Sequence, residues 1–276
     1  MKSLRTIVSL ALALLVGSAL AAGPAAVRKQ VESTLLVTGT VDIEPDGSVS
    51  GYTLDRSGEL PPVVNELLDR ATSGWKFEPI LVAGKPVPAR TAMSIRLVAK
   101  RAADGEGIDV RIAAGHFGKP DASRPLQPPV YPMDAARAGV GGTVYVVVRV
   151  GRNGNVEDAI AEQVNLKVID SEAGMDRWRR MFAQAAVRGA SAWTFDPATS
   201  GDEIDAPFWL VRVPVDFVFR GDRGPKYGTW ESYVPGPRQS APWMDSVDAS
   251  LGADAVAAGS IQFLGTGRKL LTPISG

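Results

Sequence analysis

Hydrophobic and polar positions alternate with a period of two along several stretches of this chain, the pattern of a strand with one buried face. From Leu35 to Glu44, Leu35, Val37, Val41 and Ile43 share one side, and Leu36, Thr38, Thr40, Asp42 and Glu44 the other. Pro45-Asp46-Gly47 reads as a turn, and a return strand over Val49 to Leu54 completes a predicted hairpin. Ser57 to Ala71 has helical spacing, with Pro61 and Pro62 near the first turn and Val64, Leu67, Leu68 and Ala71 as the buried stripe. Trp75-Lys76-Phe77-Glu78-Pro79 and a turn at Gly84-Lys85-Pro86 come next. A strand from Thr91 to Ala99 then points Met93, Ile95 and Leu97 to one side.

The same order of parts recurs downstream. Val144, Val146, Val148 and Val150 alternate with Tyr145, Val147 and Arg149; Asn153-Gly154 is a strong hairpin signal, and Val156 to Val164 returns. A helix follows with Met175, Trp178, Phe182 and Ala185 on one face and Arg177, Arg179, Arg180 and Arg188 on the other. Trp193-Thr194-Phe195-Asp196-Pro197 precedes the clearest strand, in which Trp209, Val211, Val213, Val215, Phe217 and Phe219 alternate with Leu210, Arg212, Pro214, Asp216 and Val218. Setting Gly47 on Gly154 superposes Val37, Val41 and Ile43 on Val144, Val148 and Val150. The pattern predicts an α+β fold of tandem units over 28–100 and 128–220, each a small antiparallel sheet with a packed helix. Between them 101–127 reads as a Gly/Pro-rich linker with one short strand at Ile108 to Ile112. Residues 221–276, rich in Gly, Pro and Ser with unspaced aromatics, read as an irregular tail in which Ile261-Gln262-Phe263-Leu264 is a candidate edge strand.

Composition narrows the function classes. The chain has 276 residues, 30 basic and 30 acidic, so no basic excess points to nucleic acid. Residues 1–21 read as a signal peptide: Lys2 and Arg5, an apolar core over Thr6 to Val16, and Ala19-Leu20-Ala21 as the cleavage site. The rival reading is an uncleaved inner-membrane anchor, for which the apolar run is marginal in length. Export predicts a periplasmic location, where disulfides persist, yet the chain has no cysteine, which removes thiol and zinc–thiolate chemistry.

Catalytic candidates are few. His116 is the single histidine, placed in the linker and read as exposed, with no Gly-x-Ser-x-Gly elbow to supply a nucleophile. Asp202-Glu203-Ile204-Asp205 reads as a solvated hairpin tip rather than a metal cluster, and Arg220-Gly221-Asp222 as a chance tripeptide. No catalytic residue, metal site or cofactor is assigned, and the expectation is a non-enzymatic protein. Recognition is better supported. Pro214 stands in the middle of the closing strand, where it has no N–H to donate, so the strand is expected to pair on one side and leave an edge open. Such an edge accepts an extended peptide or is merely blunted by its proline. Trp75 and Trp193 read as core plugs.

The Tyr131-Pro132…Arg137…Gly139…Gly142 opening, the Gly154 turn, Trp193-x-Phe195-x-Pro197 and the closing Val213-Pro214…Phe217 resemble the C-terminal domain of the TonB energy-transducer family. The resemblance is strong over the second unit and degenerate over the first, which lacks the Tyr-Pro opening. It implies that the closing strand is a sheet edge receiving an extended segment of an outer-membrane receptor, in or beside energy-coupled transport across the Gram-negative envelope. Carried over by position, that edge is Phe208, Leu210, Arg212, Pro214 and Asp216. The transducers' Pro-rich periplasmic spacer has no counterpart here. The alternative is a structural envelope protein whose sheets pair with each other or in a homodimer.

Overall fold

The computed structural model describes residues 23–118, 126–196, 206–218, 226–244, 260–264 and 268–275. The export signal read over residues 1–21 lies outside them, as do the acidic tip at 202–205 and the tripeptide at 220–222. Among the described residues no helix is long and apolar enough to cross a membrane.

The first unit is built on strands β1 (Glu32–Ile43) and β2 (Val49–Leu54), with a short helix α1 (Pro24–Arg28) leading in. Burial along β1 alternates as the period predicts, with Leu35, Val37, Val41 and Ile43 inside. The turn between β1 and β2 needs Gly47 at φ 86°, and a Cβ there would sit 2.0 Å from the Phe77 carbonyl oxygen. Helix α2 begins at Pro62, later than the spacing predicts. Pro61 has extended backbone angles and Ser57–Glu59 forms a separate 3-10 turn, because a residue before proline is pushed out of the helical region. The small hairpin β3 (Leu81–Val82) and β4 (Lys85–Pro86) turns at Ala83 and Gly84 rather than at Gly84-Lys85-Pro86. Strand β5 (Ala89–Arg101) then pairs antiparallel along the whole of β1.

Part of the segment read as a linker is a long strand. Residues Ile108–Phe117 form strand β6, paired antiparallel with β5 from Arg101 to Met93. Four of its ten residues, Ala113 to His116, are small or polar, so its apolar alternation fades while its backbone pairing continues. His116 is correspondingly buried, 4% exposed, not an exposed linker histidine.

The second unit opens with helix α3 (Met133–Arg137) and the strands β7 (Gly142–Gly151) and β8 (Val156–Leu166). Helix α4 (Glu172–Ala190) starts on the hydroxyl of Ser171, which accepts from the Gly174 N–H at 3.2 Å. It buries Met175, Trp178, Phe182, Ala186 and Ala190 against the sheet; Ala186, one residue past the predicted Ala185, carries the stripe. Strand β9 (Phe208–Phe217) closes the sheet against β7. The two units share local geometry: Phe77 N–H donates to Gly47 O and Phe195 N–H to Gly154 O, both at 2.8 Å.

The tail is where structure departs furthest from pattern. Strand β10 (Glu231–Tyr233) adds to β1, giving the first sheet the order β10-β1-β5-β6 with β2 also on β1. The chain then runs beside β8, where Val234 and Leu166 exchange backbone bonds at 2.8 and 3.1 Å and Gln239 N–H reaches Glu162 O at 2.7 Å. Strand β11 (Gln262–Phe263) joins β9, so the second sheet reads β11-β9-β7-β8. Residues 268–275 return to the first unit: Lys269 O accepts from Glu78 N–H at 3.0 Å, and the Trp75 indole donates to Ile274 O at 3.0 Å. The tail is irregular in local pattern yet bonded to both sheets. At the other end Val27 of α1 is buried in the second unit's core, part of the same cluster as Val144, Phe182 and Phe217.

Candidate functional site

The candidate edge is β9, and its faces follow from strand alternation. Trp209, Val211, Val213, Val215 and Phe217 enter the main core under α4. Leu210, Arg212, Pro214 and Asp216 take the opposite face, as the sequence predicts. That face is not open. Leu210 packs in a small cluster with Val147, Met244 and Leu264, and Arg212 is completely buried.

Arg212 owes its burial to a charge partner from β8. Its Nε lies 2.8 Å from Glu162 Oε2 and its Nη2 3.0 Å from Oε1, a bidentate pair. Arg238 from the tail adds a third contact, Nη2 to Glu162 Oε1 at 3.1 Å. Asp216 accepts from the Thr143 hydroxyl at 2.5 Å, and Phe208 is half-buried with the Arg149 guanidinium 5.7 Å from its ring centre.

Backbone direction along β9 is set by one bond: Leu264 N–H donates to Leu210 O at 2.7 Å. Since both backbone groups of a strand residue point the same way and alternate along the strand, Leu210, Arg212, Pro214 and Asp216 present theirs to the outer edge. Pro214, opposite Tyr145, therefore lacks its N–H on the outer side and costs the β7 ladder nothing. The expectation of an edge paired on one side only is corrected here. β7 pairs along its whole length, and β11 takes the outer side at Val211 and Arg212. Residues 50 positions downstream had no local signal of this destination.

The remaining motif residues hold the strand in place. Tyr131 donates its hydroxyl to Val140 O at 2.6 Å, and its ring meets Phe217 and Phe182 edge-on at 5.6 and 5.9 Å. Phe182 and Phe217 stack at 4.6 Å. Pro132 stands extended before α3, Arg137 is exposed beside Asp134, and Gly139 ends the turn at φ 68°. Gly142 lets β7 approach Asn165 O, which an added Cβ would meet at 2.5 Å. Trp193 is buried with its indole donating to Gln127 O at 2.8 Å, and Phe195 lies beside it. Pro197 lies outside the described residues. Among the described residues no three His, Cys, Asp or Glu side chains gather as a metal site.

An antiparallel sheet in which β7 lies between β8 and β9, with one helix on its face and β11 added outside β9, defines a small α+β domain. Residues 127–219 match the family described as the Gram-negative bacterial TonB protein C-terminal. Proteins named "Protein TonB" from two strains of Xanthomonas campestris pv. campestris, B100 and ATCC 33913, are each 38% identical over 95 residues. The similarity covers 34% of this chain and 36% of each relative, so the chain spans about a third of the curated relatives it matches. No solved structure matches the chain.

Proposed function

We propose that this is a non-enzymatic envelope protein whose second unit takes an extended segment of an outer-membrane receptor onto the β9 edge by strand addition, in or beside TonB-dependent transport. The single observation that carries the reading is β9 itself. It is the last long strand of its sheet, with only the two-residue β11 beyond it, lies within the family match, and directs the backbone groups of Leu210, Arg212, Pro214 and Asp216 away from β7. In this reading the first unit is a degenerate second copy of the same domain, supported by the shared Gly47–Phe77 and Gly154–Phe195 contacts. The export signal delivers the chain to the periplasm, a step checked by finding the cleaved N-terminus there. Titrating the protein with receptor periplasmic segments is expected to shift the amide signals of Trp209 to Phe217. A flat titration, or shifts confined to the first unit, refutes it.

One observation favours a second reading, a structural envelope protein whose sheets are joined to each other. β10 adds to β1 and the residues after it bond to β8, so a single tail segment already ties the two sheets. Light scattering on the whole protein separates the versions of this reading: a monomer fits internal pairing, a tight dimer fits pairing between copies.

A further inference from the structure

The outer side of β9 is held by the chain's own tail, and the tail's side chains alternate as a bound strand's would. Ile261 is buried in the core under α4, and Phe263 packs on the same core with its ring 6.5 Å from that of Phe195. Leu264 faces the other way, against Leu210, and Gln262 is 1% exposed with its amide nitrogen 3.3 Å from His116 Nδ1. The grip is short. It consists of the pairs Gln262–Arg212 and Phe263–Val211 and the bond from Leu264 N–H to Leu210 O. By contrast, the corresponding outer side of β5 is filled by the ten residues of β6.

Resting on the docking reading above, we infer that Ile261-Gln262-Phe263-Leu264 is a built-in ligand of the β9 edge, and that a partner segment gains the edge by displacing it. The tail also defines that segment's chemistry: four residues, the middle two paired as a strand, in the order aliphatic, uncharged amide, aromatic, aliphatic. The first and third enter the α4 side of the sheet, the second and fourth the Arg212 side. A basic residue at the second position is disfavoured, because it would be buried next to the buried Arg212. The tether matters as much as the contacts. Arg268 N–H bonds to Phe117 O at 2.8 Å just beyond β11, which keeps the segment near its edge at high effective concentration.

The test uses the full chain and a labelled synthetic peptide with the sequence of residues 259–266. Leu264→Pro removes the N–H that reaches Leu210 and frees the edge. It is expected to bind the peptide at least about tenfold more tightly than the unaltered protein, since the intramolecular competitor is gone. V211C/F263C gives a variant that keeps the tail in place: the two positions face each other in a non-hydrogen-bonded pair, the closer kind. The chain has no other cysteine, so within one molecule oxidation can form only this bridge, and the monomeric oxidised form is the one assayed. The oxidised form is expected not to bind, and reduction to restore binding. Equal peptide affinity in Leu264→Pro and the unaltered chain, or binding by the oxidised form equal to that of the reduced one, overturns the inference; if Leu264→Pro does not fold, the bridge decides. A receptor segment run alongside keeps the two readings apart. If Leu264→Pro takes the tail peptide and not the receptor segment, the built-in ligand stands and the receptor reading falls. If the receptor segment shifts β9 signals equally in the oxidised and reduced bridge variants, receptor docking stands and the built-in ligand falls.

Discussion

Replacing Arg212 by methionine tests whether this residue serves the fold or a ligand. Its side chain is 0% exposed and that of Glu162 4%, with both guanidinium–carboxylate contacts at 3.0 Å or less. Removing one member of a buried ion pair leaves the other charged and dry, which costs about 3–5 kcal/mol. Arg238 stays on Glu162 at 3.1 Å, but its side chain is 41% exposed and its attraction is screened by water. R212M is therefore placed at the lower end, about 3 kcal/mol. For a chain of this length that is a fall of roughly 6–12 °C in Tm, read by circular dichroism in a thermal scan. R212M/E162M replaces the pair by apolar side chains and should regain most of the loss, because the desolvation of both charges disappears with them. If R212M stays within about 1 kcal/mol of the parent, or the double variant is no better than the single one, the charge pair does not hold the tail-covered face together. A stable R212M with altered receptor binding would instead make Arg212 a contact residue.

Gly47→Ala is expected to destabilise the first unit by at least about 1–2 kcal/mol, seen in urea unfolding, because it combines a positive φ with a Cβ 2.0 Å from a carbonyl oxygen. Val27→Ala should cost roughly 2 kcal/mol and perturb side-chain methyl signals in the second unit, although Val27 precedes the first in sequence. Asp170 accepts from the Ser171 N–H at 2.7 Å and the Trp178 indole at 3.0 Å, and these donors, the backbone one first, hold its carboxyl below the usual carboxylate range. A lowered carboxyl pKa means that this stabilisation is complete at neutral pH and is lost as pH falls below about 4 and through the lowered value. The tryptophan fluorescence of the parent should thus show an acid-limb change that Asp170→Asn lacks.

Both hairpins, both main helices and both closing strands are visible in the chain's own periodicity, since each buries one face against its neighbours in sequence. Trp75 and Trp193 as core plugs were legible for the same reason. The burial of Arg212 was not, because its partner Glu162 lies on another strand and its cover comes from the tail. The tail has no period to read: it is held by single anchors such as Tyr233, Met244, Leu264 and Ile274, each bonded or packed to an edge that must already exist. β6 hid in part behind Gly115, which lies in a strand packed under side chains rather than in a loop. A Cβ there would meet Ile274 Cδ1 at 2.3 Å.

The chain crosses between its two sheets several times: Val27 sits in the second core, β1 to β6 form the first sheet, and the tail visits the first, the second and the first again. The family match stops at residue 219, but the core it encloses does not. A fragment cut at those bounds would leave bare the places where Val27, Val234 and Ile261 pack, and would expose Arg212 and Glu162 to water. Its affinity for any peptide would then report on a sticky, uncovered sheet rather than on this protein. In the whole chain, each half folds as the other's missing piece.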